Sequence, residues 1–147
     1  MKRLLALAPA LLLAVPALAQ DAPAAPEAGY QNLWCHLAFV ATSAQIPTLP
    51  VEDLEAARTA GTNATPEQAE LLAMDGQIQI VLTGIPVLLD TATASYTGAG
   101  FTAEQFEAAR AELDPKVSEQ VNSGGVGAEF TFDQCLALLQ AAETATP

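Results

Sequence analysis

Cationic side chains are scarce in this chain: five Lys and Arg stand against seventeen Asp and Glu, giving a formal net charge of −12. A surface so acidic repels phosphates before any specific contact forms, which excludes nucleic acid as a partner and disfavours anionic membrane surfaces. Histidine is scarcer still. His36 is the only one, so a histidine-rich zinc site is excluded, and a serine or cysteine nucleophile has this single candidate base. The nucleophile elbow Gly-x-Ser-x-Gly, the P-loop and the dinucleotide fingerprint are missing. The glycines of Ser123–Gly127 follow no strand-like run and precede no cation, so they do not read as a phosphate cradle. No cofactor and no metal ligand is expected.

What is present begins with an address. Lys2 and Arg3 precede an apolar run from Leu4 to Leu18 that closes on Ala17-Leu18-Ala19, the pattern of an export signal cleaved between Ala19 and Gln20. The run is shorter than the ~20 residues a spanning helix needs, and Pro9 and Pro16 interrupt it. A lipoprotein would carry cysteine at the first mature position, where Gln20 stands, so no stable membrane anchor is expected. The short basic start and alanine-rich composition have a bacterial look. The periplasm is the first expectation and the extracellular medium the second. Processing would leave Arg58, Arg110 and Lys116 as the only cations.

Two cysteines in an exported chain predict one disulfide, Cys35 to Cys135. No Cys-x-x-Cys is present, so a thioredoxin-like redox dithiol is not expected. The pair Trp34-Cys35, with Cys135 in a later helix and a Pro-containing leader in front, distantly resembles the small periplasmic acid-stress chaperones. The inter-cysteine distance is much longer here than in that family. The resemblance implies a holdase role.

Organisation follows from composition and periodicity. Gln20 to Gly29 is Pro- and Ala-rich and reads as a disordered leader. Residues 30–143 read as a single helical domain, with a frayed tail at 144–147. The predicted fold class is all-α, a five to six helix bundle or orthogonal array. Leu33, Trp34, Leu37 and Val40 give the first helix its apolar spacing; Pro50 opens a second, which Gly61 stops. Three later helices start with Thr-x-(Glu/Asp)-Gln, at Thr65–Gln68, Thr102–Gln105 and Thr131–Gln134. Each is a capping box, in which the threonine oxygen accepts from the amide three residues on and the glutamine reaches back. Phe101 and Phe130 precede two of these boxes as hydrophobic staples onto Phe106 and Cys135. The segment after Pro66 is apolar almost all round and reads as a buried central helix, kinked or split at Pro86. The next helix reads as broken at Asp114-Pro115, and the last carries Phe132, Cys135, Leu136 and Leu139 inward.

Function is less legible. Glu52, Asp53 and Glu55 form the densest carboxylate cluster, but they sit in a helix's first turns, where acids are favoured electrostatically. An Asp/Glu hydrolase would need two of these acids across one cleft. The apolar excess is the better handle: Ile78, Val81, Ile85 and Leu88, with Trp34, either fill a core or line a space for an apolar ligand. The leading expectation is a non-enzymatic binding module for a partner protein or an apolar small molecule. The alternative is a stress-type holdase that exposes its central helix when carboxylates protonate.

Overall fold

The computed structural model describes residues 24–145, so the expected export signal, its expected cleavage site and residues 146–147 lie outside the described part. Among the described residues the fold is all-helical. Five α-helices, α1 (Glu27–Ser43), α2 (Val51–Ala60), α3 (Pro66–Gly98), α4 (Ala103–Asn122) and α5 (Phe132–Ala145), are joined by short segments. A 3-10 turn at Gly61–Asn63 links α2 to α3.

All three capping boxes form. In each, the glutamine oxygen accepts from the threonine amide at 2.7–2.9 Å and the threonine hydroxyl accepts from the glutamine amide at 3.2–3.3 Å. Gly61 ends α2 with φ 54°. The first helix begins at Glu27 rather than Tyr30, with Pro26 at its N-cap, so Glu27, Ala28 and Gly29 are helix and not leader. At the other end α5 runs to Ala145, taking in the first part of the expected tail.

The helix at the centre is α1, not α3. Every residue from Leu33 to Phe39 is buried, and α1 packs on α3, α4 and α5. Periodicity missed this because Asn32 and His36 look like outward positions. Both are buried, and both give their donors to backbone carbonyls: Asn32 Nδ2 to Ala28 O at 2.7 Å, and His36 Nδ1 to Ile85 O at 2.9 Å. Each bond offsets part of the cost of burial, while Asn32 Oδ1 and His36 Nε2 stay buried without a partner.

Two glycines let α3 lie close against the core. A Cβ on Gly29 would fall 2.9 Å from a Tyr96 ring carbon, and one on Gly84 would fall 2.8 Å from Phe39 and 2.9 Å from Leu139. Those contacts, with His36 beside Ile85, run α1 and α3 antiparallel. The buried positions of α3, Val81, Gly84, Leu88, Ala92 and Tyr96, run from its middle to its C-terminal end. They continue across Pro86 on one line, and α3 is a single helix. Burial on both sides of the proline outweighs the ~3 kcal/mol that a mid-helix proline costs. Likewise α4 passes through Pro115, flanked by the buried Leu113 and Val117. Tyr96 holds the α3–α4 turn by meeting Phe101 and Phe106 edge-on, at centroid distances of 4.9 and 5.2 Å. The helix α2 packs on α3 and the 3-10 turn alone.

Cys35 and Cys135 are bonded, with their Cα atoms 5.3 Å apart. The bridge ties α5 to α1 across a sequence separation of 100 residues. On the chain-entropy argument such a loop stabilises the native state by about 4 to 5 kcal/mol. Denaturant titration of the Cys135→Ser variant is expected to show a loss of that order, and an unchanged unfolding midpoint would contradict it.

Candidate functional site

An aromatic-walled concavity lies where the start of α5 leans over α1. Its volume is about 420 Å³, within the usual range for small-molecule sites. Four aromatic side chains, Trp34, Phe39, Phe130 and Phe132, form its walls. Ala38, Thr42 and Cys135 complete the side made by α1 and α5, and Val121, Gly124, Gly125 and Ala128 supply the opposite rim. No charged residue lines it, although the chain is strongly acidic.

Each wall has a local cause. Trp34, Ala38 and Thr42 line one face of α1 because helical positions four apart lie one above the other, and Phe39 stands about 100° round from Ala38. Phe130 precedes the Thr131–Gln134 capping box, and its ring is held edge-on by Trp34 at 5.4 Å and Tyr30 at 6.4 Å. Tyr30 also donates its hydroxyl to Glu129 at 2.8 Å, fixing the approach to α5. Burial, reinforced by the Glu129 carboxylate, pushes the Tyr30 hydroxyl up to about 12, so that donor keeps its proton throughout the physiological range. Phe132 meets Phe39 at 5.6 Å and stands 45% exposed at the mouth of the groove, not inward as its helix position suggested.

The rim is a glycine loop. Gly124, Gly125 and Gly127 have φ of 75°, 78° and 74°, the left-handed region that residues with a Cβ avoid. Gln120 Nε2 donates to Gly127 O at 3.0 Å and the Gly125 amide donates to Gln120 O at 2.9 Å, anchoring the loop to the end of α4. Val126 rides at its tip, 78% exposed.

Of the residues expected to line an apolar space, only Trp34 does so. Val81 and Leu88 belong to the core, Ile85 packs against it, and Ile78 is half-buried in the first half of α3. None of these four borders the groove. Phe39, Thr42, Phe130, Phe132 and the glycines were not foreseen as a site. The signal available was local: Ser123–Gly127 runs within a few residues into Phe130-Thr131-Phe132, two aromatics around a capping box.

The carboxylates are arranged differently. Glu52, Asp53 and Glu55 are exposed on α2. Asp53 shares a shallow hollow with Glu67, but the Glu67 carboxyl is held below its usual value by its own backbone amide and the Thr65 hydroxyl. A general acid requires the opposite shift. Among the described residues no cluster of three His, Cys, Asp or Glu side chains could hold a metal ion. No known protein family, curated protein or solved structure matches the chain.

His36 faces away from the groove residues of α1, toward α3 and α4. Its Nδ1 donates to Ile85 O, while Nε2 is buried without a partner. Burial holds its imidazole below the ordinary value near 6.5, and the Arg110 guanidinium acts in the same direction. The unfolded chain therefore takes up a proton near pH 6.5 that the folded chain accepts only at lower pH. Stability is full above that point and falls as the pH drops toward the folded-state value. Thermal melts followed by circular dichroism should show this decline between pH 7 and 5, and His36→Gln should flatten it. An identical slope in the variant would contradict the assignment.

Proposed function

We propose that this chain is an exported, non-enzymatic binding module whose groove takes a neutral apolar small molecule. One observation carries the reading: four aromatic side chains converge on an uncharged space of about 420 Å³ in a protein whose surface is otherwise acidic. Apolar surface transferred into such a space contributes about 25 cal/mol per Å², and the aromatic walls select for shape. A charged ligand finds no counter-ion among the lining residues. The basic start, apolar run and Ala-x-Ala close support export to a bacterial periplasm, with secretion as the alternative; a buried disulfide suits either compartment.

The holdase alternative has less support. It needs an apolar helix released by acid, whereas Met74, Ile80 and Leu82 of α3 already lie at the surface. Docking of a partner's apolar side chain in the groove remains the second use of the same chemistry.

The test uses the neutral probe N-phenyl-1-naphthylamine, whose fluorescence rises on leaving water. Saturable enhancement with one equivalent per chain is expected. Phe132→Ala should weaken it by about tenfold, roughly 1.4 kcal/mol, and Leu82→Gln on α3 should leave it unchanged. Non-saturable enhancement, or equal affinity in Phe132→Ala, would remove the groove as the site.

A further inference from the structure

The helix α3 is, among the described residues, the one long and apolar enough to cross a membrane by length and composition, yet only 17% of its most apolar stretch is buried. Its sequence carries no charge between Asp75 and Asp90. Within and just before that stretch, Ala73, Gly76, Ile80, Thr83 and Val87 recur at alternating spacings of three and four, the pattern of a two-helix seam. The first four are exposed, Ile80 by 41%, and Val87 is half-buried. We infer that this line is the seam for a second copy of the chain.

One detail has no reason in a single copy. Gly76 stands mid-helix, where glycine costs about 1 kcal/mol relative to alanine, and a Cβ there would meet nothing within 4 Å. A second helix backbone brought close over Gly76 supplies the missing reason.

Charge identifies the occupant as a like chain in antiparallel register. Asp75 and Asp90 lie almost equally far from Thr83, about 11 Å along the axis at 1.5 Å per residue. Antiparallel pairing about Thr83 therefore brings Asp90 of one copy toward the Asp75 end of the other. Asp75 is already neutralised by Arg58 at 2.7 Å, and that guanidinium is 56% exposed with further N–H donors to offer a second carboxylate. Parallel pairing would set Asp90 against Asp90. Over the rest of so acidic a surface two copies meet like charge, and the uncharged stretch is where they can approach.

The test is sedimentation velocity on protein expressed from the whole sequence and purified with its disulfide intact. A concentration-dependent dimer is expected. Gly76→Leu should weaken it by at least about tenfold while the melting temperature of the monomer holds or rises, because the added side chain meets open space. Asp90→Lys should weaken it as well, and adding Arg58→Glu should recover part of the loss. A monomer at every concentration, or a dimer indifferent to Gly76→Leu, overturns the inference. A monomer that sediments with phosphatidylcholine vesicles and loses this with Ile80→Glu overturns it in favour of a lipid surface.

Discussion

The Cys35–Cys135 bond is the constraint on which the arrangement of the site depends. Helix α5 rests on α1 and α3 and makes no comparable contact with α4, from which the glycine loop separates it. Left to packing alone, a short terminal helix on two neighbours is a weakly held element. The bond fixes the first turn of α5 over the middle of α1, and Phe130 and Phe132 are placed by that anchoring. The groove is thus the space left between a helix pinned at one point and a loop that must reach back to it. Both sulfurs are buried, which shields the bond from solvent reductants.

The centre of the fold is α1, and its burial explains what surrounds it. A helix enclosed from Leu33 to Phe39 has to find partners for its polar groups internally, and Ile85 O takes the Nδ1 proton of His36 at the level of Pro86. Gly29 and Gly84 then let α3 approach closely at two levels, and α3 runs as one helix through its proline. The same packing uses α3 only from its middle onward. Its first half, braced by α2 and the Arg58–Asp75 pair, is left with apolar side chains at the surface. Groove and seam are therefore two separate consequences of one core.

Local features of this fold were legible in the sequence, and non-local ones were not. The capping boxes at Thr65, Thr102 and Thr131 depend on residues three apart, and each forms. The disulfide was readable because two cysteines allow one pairing. The split at Pro86 and the break at Pro115 did not occur, because burial of Leu88, Leu113 and Val117 is a tertiary gain, hidden from the sequence, that overrides the local penalty the sequence displays. An all-round apolar pattern in α3 was read as burial, whereas Met74, Ile80 and Leu82 face outward. The groove escaped because its lining comes from α1, the end of α4 and the start of α5, brought together only by the fold. Of the candidate lining residues, Trp34 alone borders the groove.

Native mass spectrometry of protein recovered from its own periplasm or culture medium tests the central claim most directly, since one spectrum reports processing, thiol state and bound matter together. The account predicts a bridged chain beginning at Gln20 that carries a neutral, non-covalent adduct lost on denaturation. A bare chain that also stays bare after incubation with an apolar extract of the same source would contradict it.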